Sequence, residues 1–170
     1  MPLKAFQEIT AAGEWRVRAE NFLSDSPLAG EEAQAFNTHW IEAGHRVREQ
    51  LSDDELLVRL LRHLLPRYEG EGHILFRGEN LKRWERGEIG LAWTSKQAVA
   101  EMFASGLNAH TSGGVLLQAS VPAHAVICVN HPHSSYLDES QFTIDPSLIE
   151  NCVVIRRYPP VFTELHGAET

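Results

Sequence analysis

The spacing of apolar residues divides this chain into a helical first part and a strand-rich second part. Up to about residue 69 the apolar positions recur at helical intervals, most clearly in 31–50 and in the leucine-rich segment 56–65. A looser helical pattern covers 15–23. Ser52 and Glu55 have the spacing of a capping box, so we expect them to start the leucine-rich helix.

The second part contains short apolar runs separated by Gly, Pro and Asn, a pattern typical of strands. One helix, from Lys96 to Ser105, lies between them, and Thr94 with Gln97 has the spacing to cap it. This order of elements predicts an α+β fold, with a helical lobe over 1–70 and a β-rich core over 71–165. The predicted strands cover 73–76, 115–121, 125–129, 141–144 and 151–158.

Composition narrows the classes of function. A chain of 170 residues can bury a core, and its formal net charge of -8 argues against a broad nucleic-acid surface. Cys128 and Cys152 lie in apolar runs, which favours buried free thiols over a disulfide. No stretch has the length and apolarity of a membrane span, and the start does not resemble a signal peptide. We therefore expect a cytoplasmic protein, or one delivered into a host cell without a signal peptide.

Three segments carry candidate chemistry. In the first, the apolar run 73–76 ends in Arg77 and Gly78, as expected of a buried strand that delivers one cation to a cleft. An arginine fork suits a diphosphate better than the point charge of a lysine. The second segment is Trp93-Thr94-Ser95, followed by a helix that contains Val99-Ala100 and Phe103-Ala104. The third is Glu139-Ser140-Gln141, which runs into Phe142.

Taken together, these segments resemble the arginine–serine–glutamate branch of the ADP-ribosyltransferase family over about residues 72–160. The resemblance implies a split β-sandwich core and NAD as substrate, without a metal. It also implies transfer of ADP-ribose to a protein or a small-molecule acceptor, an activity found in many toxins. The N-terminal helices match the family only in that many of its members carry a helical lobe there.

The resemblance also assigns roles to residues. Arg77, followed by Gly78, would hold the diphosphate, while Thr94 and Ser95 would shape the nicotinamide pocket. Trp93 or Phe103 would supply an apolar wall. A carboxylate is needed to hold a ribose hydroxyl and to offset positive charge as the glycosidic bond breaks.

The third segment departs from the family pattern, because the position of the catalytic glutamate falls on Gln141. An amide can hydrogen-bond a ribose hydroxyl but carries no charge. Glu139 shares a strand face with Gln141 by period-two alternation, so both are candidate catalytic residues. NAD hydrolysis, or a catalytically degenerate module that binds a protein partner, are the alternatives. The scattered cations of the second part argue against an RNA 2′-phosphotransferase.

Each candidate also has a structural interpretation. Arg77 can be a salt-bridge partner, Thr94 and Ser95 can be helix caps, and Trp93 can be a core aromatic. The histidines at 131 and 133 fit a solvated loop better than a metal site, because their spacing matches no common zinc motif.

Overall fold

The computed structural model describes residues 1–130 and 141–161. Within this part the chain combines helices with one antiparallel sheet, which confirms the mixed helix-and-strand class predicted from the sequence. The chain divides into two compact units, Met1–Tyr68 and Glu69–Thr170.

The first unit is helical. Its helices are α1 (Leu3–Ala12), α2 (Trp15–Ser24), α3 (Gly30–Leu51) and α4 (Asp54–Leu64). The predicted capping box is wrong by one residue: Asp53, not Ser52, caps α4 and accepts a hydrogen bond from the Leu56 amide at 3.0 Å. The physical reason is the tight turn, in which Ser52 adopts a left-handed conformation that ends α3.

Aromatic side chains fill much of the core of this unit. Phe6 packs edge-on against Phe36, with ring centroids 5.2 Å apart, and Trp15 lies fully buried beside both. The buried indole finds a polar partner, since its Nε1 donates to Thr10 Oγ1 at 2.7 Å. The apolar face of α4 completes this core with Leu57, Leu60, Leu61 and Leu64.

The second unit is built on a six-stranded sheet whose neighbours are all antiparallel, in the order β4-β5-β2-β1-β3-β6. The strands are β1 (His73–Asn80), β2 (Ala92–Thr94), β3 (Gly114–Val121), β4 (Val126–Asn130), β5 (Gln141–Ile144) and β6 (Glu150–Tyr158). Short 3-10 turns at Leu107–Ala109, Ala123–Ala125 and Pro146–Leu148 connect some of them.

The described part of the sheet unit also contains two helices, α5 (Leu81–Glu85) and α6 (Gln97–Ser105). The predicted cap of α6 by Thr94 and Gln97 is wrong, because the helix begins after Lys96 and has no side-chain cap. The hydroxyl of Thr94 instead accepts a hydrogen bond from the Lys96 amide at 3.0 Å, which shapes the turn between β2 and the helix.

The sheet nearly divides between β1 and β2. Among the described residues, Phe76 and Thr94 form the only register pair between these strands. By contrast, β1 pairs with β3 along its whole length, from His73 to Asn80. The sheet therefore consists of two halves, β4-β5-β2 and β1-β3-β6, that separate beyond one shared pair.

Two glycines seat α6 directly on the larger half of the sheet. A Cβ at Gly78 would lie 2.4 Å from the Ala104 nitrogen and 2.5 Å from the Ala100 oxygen. A Cβ at Gly114 would collide with the Ala104 carbonyl in the same way. The backbone of the helix thus touches the backbone of the strands, which leaves no room for a side chain between them.

Both cysteines are free, as predicted. Cys128 is buried and Cys152 is half-buried. Burial raises the pKa of the Cys128 thiol to about 11, so this group stays protonated and serves packing. Within the part of the chain that is described, we find no helix with the length and apolarity that crossing a membrane requires.

Gly78→Ala is expected to lower the free energy of unfolding by about 1–3 kcal/mol, the usual cost of overpacking, because two backbone atoms of α6 must move. Gly44→Ala is the control, since a Cβ there meets only the ring of Trp40, a half-buried side chain that can move aside. Urea denaturation of both variants measures the difference. Equal losses would contradict the close seating of α6.

Candidate functional site

A cavity of about 320 Å³ lies where β1 and β2 separate. This volume is at the lower end of the range for small-molecule sites, roughly 300–1,000 Å³. Residues of β1, β2, α6 and β5 line it, together with the 3-10 turn that follows α6. Six of the residues predicted from the sequence are among the lining: Arg77, Gly78, Trp93, Thr94, Phe103 and Gln141.

The other two predicted residues are placed differently. Ser95 is exposed at the turn before α6 and is not among the described residues that line the cavity. Ser95 follows the last residue of β2 and lies at a bend in the chain, so its side chain does not continue the strand. Glu139 lies outside the described residues.

Cross-strand pairing explains how distant residues meet. Phe76 of β1 pairs with Thr94 of β2, and Thr94 pairs with Gln141 of β5. Directly paired residues project from the same face of a sheet, so these three side chains form one row. Gly78 shares this face of β1 by alternation, and α6 covers it.

Arg77 occupies the gap between the two halves of the sheet. Its Nη1 donates to the carbonyl of Ala92 on β2 at 2.8 Å, and its Nε donates to Glu79 Oε2 at 2.9 Å. Gly90 makes room for the guanidinium, because a Cβ there would lie 2.1 Å from Nη2. A guanidinium has five N–H donors, so Nη1 and Nη2 of Arg77 carry further N–H groups beyond these two bonds.

Glu79 holds this arginine from outside the cavity. Its side chain is 2% exposed, and its other oxygen accepts from Arg83 Nε at 3.2 Å and from the Asn80 amide at 3.0 Å. Burial alone would raise the pKa of Glu79, but the charge of Arg77 and hydrogen bonds from Asn80, Arg77 and Gly90 outweigh burial. The pKa is therefore held below its ordinary value, and the carboxylate is ionised at neutral pH.

Three neutral polar side chains complete the cavity. The Thr94 hydroxyl accepts from the Lys96 amide and retains its own proton to donate. The Gln141 amide makes no side-chain hydrogen bond with another residue in the described part of the chain. Asn108 donates from Nδ2 to the Gly78 carbonyl at 2.7 Å, which fixes its Oδ1 as an acceptor.

Aromatic side chains form the apolar part of the lining. Trp93 is buried and its Nε1 donates to the Gly90 carbonyl at 2.9 Å, so its ring is fixed. Phe103 on α6 is 44% exposed at the cavity, and Phe76 is half-buried. Arg77 is the one charged residue among the described lining. The cavity therefore suits a ligand that combines a flat ring with an anionic group.

Several residues that build the site were missed by the sequence analysis. Glu79 could have been found, because period-two alternation places it on the same face as Arg77. Gly90 and Asn108 lie in connections between elements, where no local pattern shows what they approach. Among residues 1–130 and 141–161 we find no cluster of His, Cys, Asp or Glu suited to a metal ion.

Comparison of the chain with models of protein families, with curated proteins and with solved structures found no match. The interpretation of the site consequently depends on its own geometry.

Glu79→Gln is expected to lower the free energy of unfolding by about 3 kcal/mol at neutral pH, because one partner of a buried ion pair is removed. The folded-state pKa of Glu79 lies below its unfolded value, so its contribution is present above the usual carboxyl range. That contribution is lost as the pH falls through the lowered folded-state pKa. Urea denaturation at neutral and acid pH should show the gap between parent and variant closing on the acid side.

Glu88→Gln is the matched control for this prediction. Glu88 pairs with Arg83 and Arg86, but its side chain is 43% exposed. Removing an exposed partner should change the free energy of unfolding by less than about 1 kcal/mol. A loss as large as that of Glu79→Gln would contradict a special role for the buried carboxylate.

Proposed function

We propose that this protein is an ADP-ribosyltransferase-like protein that binds NAD in the cavity and transfers ADP-ribose to a protein or small-molecule acceptor. One observation supports the proposal above the others. The cavity at the division of the sheet brings together Arg77, Thr94 and Gln141, which lie far apart in the sequence. The same division supports a split β-sandwich as the fold of this unit.

The polar and aromatic groups suggest how NAD would be held. The remaining N–H donors of Arg77 suit the diphosphate, because charge-assisted bonds to phosphate oxygens are strong and directional. Phe103, which is 44% exposed, suits the nicotinamide ring as a flat apolar wall, whereas Trp93 is 1% exposed and offers little surface to a ligand. The Thr94 hydroxyl, with a proton left to donate, can hydrogen-bond an oxygen of the same ligand.

The proposed reaction breaks the bond between nicotinamide N1 and ribose C1′. The bonding electron pair moves onto N1, which neutralises the pyridinium and releases nicotinamide. The acceptor atom then forms a bond to C1′ and gives up its proton. The ribose passes through an oxocarbenium-like state, which a nearby carboxylate stabilises.

The source of that carboxylate is the central question for catalysis. Gln141 stands in the row with Thr94 and can hydrogen-bond a ribose hydroxyl, but it brings no charge. Glu139 is two residues earlier and is the candidate for the charged role. We propose that two residues share the role of the family's catalytic glutamate: Gln141 hydrogen-bonds the ribose hydroxyl, and Glu139 supplies the negative charge.

A binding module without catalysis is the second candidate. Two observations favour it: Gln141 is neutral, and Arg77 already bonds to Glu79 and Ala92 within the protein. Such a module would act through a protein partner. NAD hydrolysis is a third outcome that needs the same site, with water as the acceptor.

Arg77→Lys is expected to weaken NAD binding by about tenfold or more, because a lysine keeps the charge but loses the bidentate fork. Isothermal titration calorimetry with NAD measures the affinity. Arg157→Lys on the exposed face of β6 is the matched control and should leave binding unchanged. Failure of the parent protein to bind NAD would overturn the proposed function.

Nicotinamide release from NAD separates the catalytic candidates. If Glu139 supplies the charge, the parent protein releases nicotinamide and Glu139→Ala lowers the rate of release by a factor of about 100 or more. If the parent is silent and Gln141→Glu gains activity, the protein is a degenerate member of the class. Silence of both proteins despite NAD binding would support the binding module.

A further inference from the structure

Among the described residues, Glu79 is the one that forms an ion pair with Arg77, and it is not part of the described cavity lining. Its carboxylate accepts four hydrogen bonds, two on each oxygen. Oε2 takes Arg77 Nε at 2.9 Å and the Gly90 amide at 3.1 Å. Oε1 takes Arg83 Nε and the Asn80 amide. The carboxylate thereby links β1, the start of α5 and the segment before β2.

The partners on Oε1 are themselves fixed. Asn80 caps α5, since its Oδ1 accepts from the amides of Lys82 and Arg83. Arg83 lies on that helix and also pairs with Glu88 at 3.2 Å. The hydrogen bonds from Asn80 and Arg83 therefore fix the rotation of the Glu79 carboxylate. That rotation determines the direction from which Arg77 Nε can donate to Oε2. Next to the guanidinium, the Ala92 carbonyl accepts a hydrogen bond and the Cα of Gly90 lies close by. The guanidinium therefore fits into one narrow slot between these groups and Glu79.

From this geometry we infer that Glu79 is the positioning residue of the site: it presents the guanidinium of Arg77 to an anionic ligand in the cavity. The inference rests on the proposed function for the identity of the ligand, a dinucleotide with a diphosphate. It extends that proposal by assigning the affinity for the diphosphate to a carboxylate that does not touch it.

Positioning and plain electrostatics predict opposite effects of Glu79→Gln. Removal of a negative charge beside Arg77 makes the cavity more positive, so electrostatics alone would tighten anion binding. Positioning predicts weaker binding, because an amide has one acceptor oxygen for two pairs of donors. Its NH2 group would face either Arg77 and Gly90 or Arg83 and Asn80. The sign of the change therefore decides between the two effects.

The experiment measures the dissociation constants of NAD and of inorganic pyrophosphate by calorimetry, for the parent, Glu79→Gln and Glu88→Gln. We expect Glu79→Gln to bind both ligands about tenfold more weakly, which corresponds to about 1.4 kcal/mol. Glu88→Gln makes the same change of charge on the other partner of Arg83 and should stay within about twofold of the parent, because exposed charges are screened. Unchanged or tighter binding by Glu79→Gln would overturn the inference.

Gly90→Ala is a second variant that keeps every charge and tests the inference if Glu79→Gln does not fold. Gly90 does not have a left-handed φ, so alanine introduces no backbone strain there. Its Cβ would displace the end of Arg77 from the slot beside Glu79. We expect weaker binding of both ligands and a smaller loss of stability than in Glu79→Gln, because the carboxylate keeps its charge and its donors from Gly90, Asn80 and Arg83. Parent-like affinity in this variant would show that the position of the guanidinium is unimportant and would overturn the inference.

The two ligands distinguish failure of this inference from failure of the proposed function. If the parent binds pyrophosphate but not NAD, the proposed function fails, and the variants still test positioning with pyrophosphate. If the parent binds NAD and the variants bind it equally well, the proposed function stands and the inference fails. If the parent binds neither ligand, both fail, because Arg77 then holds no anion.

Discussion

The organisation of the site depends on one buried carboxylate. Glu79 is almost fully excluded from solvent and is ionised, a state that is unfavourable unless opposite charges and hydrogen-bond donors surround it. It obtains them from two arginines and two backbone amides. These donors come from separate segments, so β1, α5 and the chain before β2 must all be in place before the charge is satisfied. The cation that faces the cavity is fixed as a consequence.

Local patterns predicted much of this structure. The strand 73–76 lies within β1, 141–144 matches β5, and the helix from Lys96 to Ser105 differs from α6 by one residue. The spacing of apolar residues and the positions of turn-forming residues depend only on neighbours in the chain. These elements can therefore be predicted from the sequence. The row from Phe76 to Gln141 depends on register between strands that are far apart in the chain, and only the family resemblance suggested it.

What the sequence could not provide has a common cause. Gly90 matters because a guanidinium from another strand lies against it, and Asn108 matters because its amide reaches Gly78. Neither contact leaves a periodic signal. The helix caps failed for a related reason: two hydroxyl residues with suitable spacing were present, but the turns directed Ser52 and Thr94 to other backbone groups.

The separation of β1 from β2 removes ladder partners from two backbone carbonyls, and side chains replace them. Arg77 donates to Ala92 on one side of the opening, and Asn108 donates to Gly78 on the other. If β1 and β2 moved closer together, there would be no space for these side chains. If they moved further apart, the two carbonyls would lose their hydrogen-bond donors. The opening is therefore bridged and bordered by side-chain donors that satisfy the backbone of both strands, so the cavity and the hydrogen bonding of the sheet depend on the same two residues.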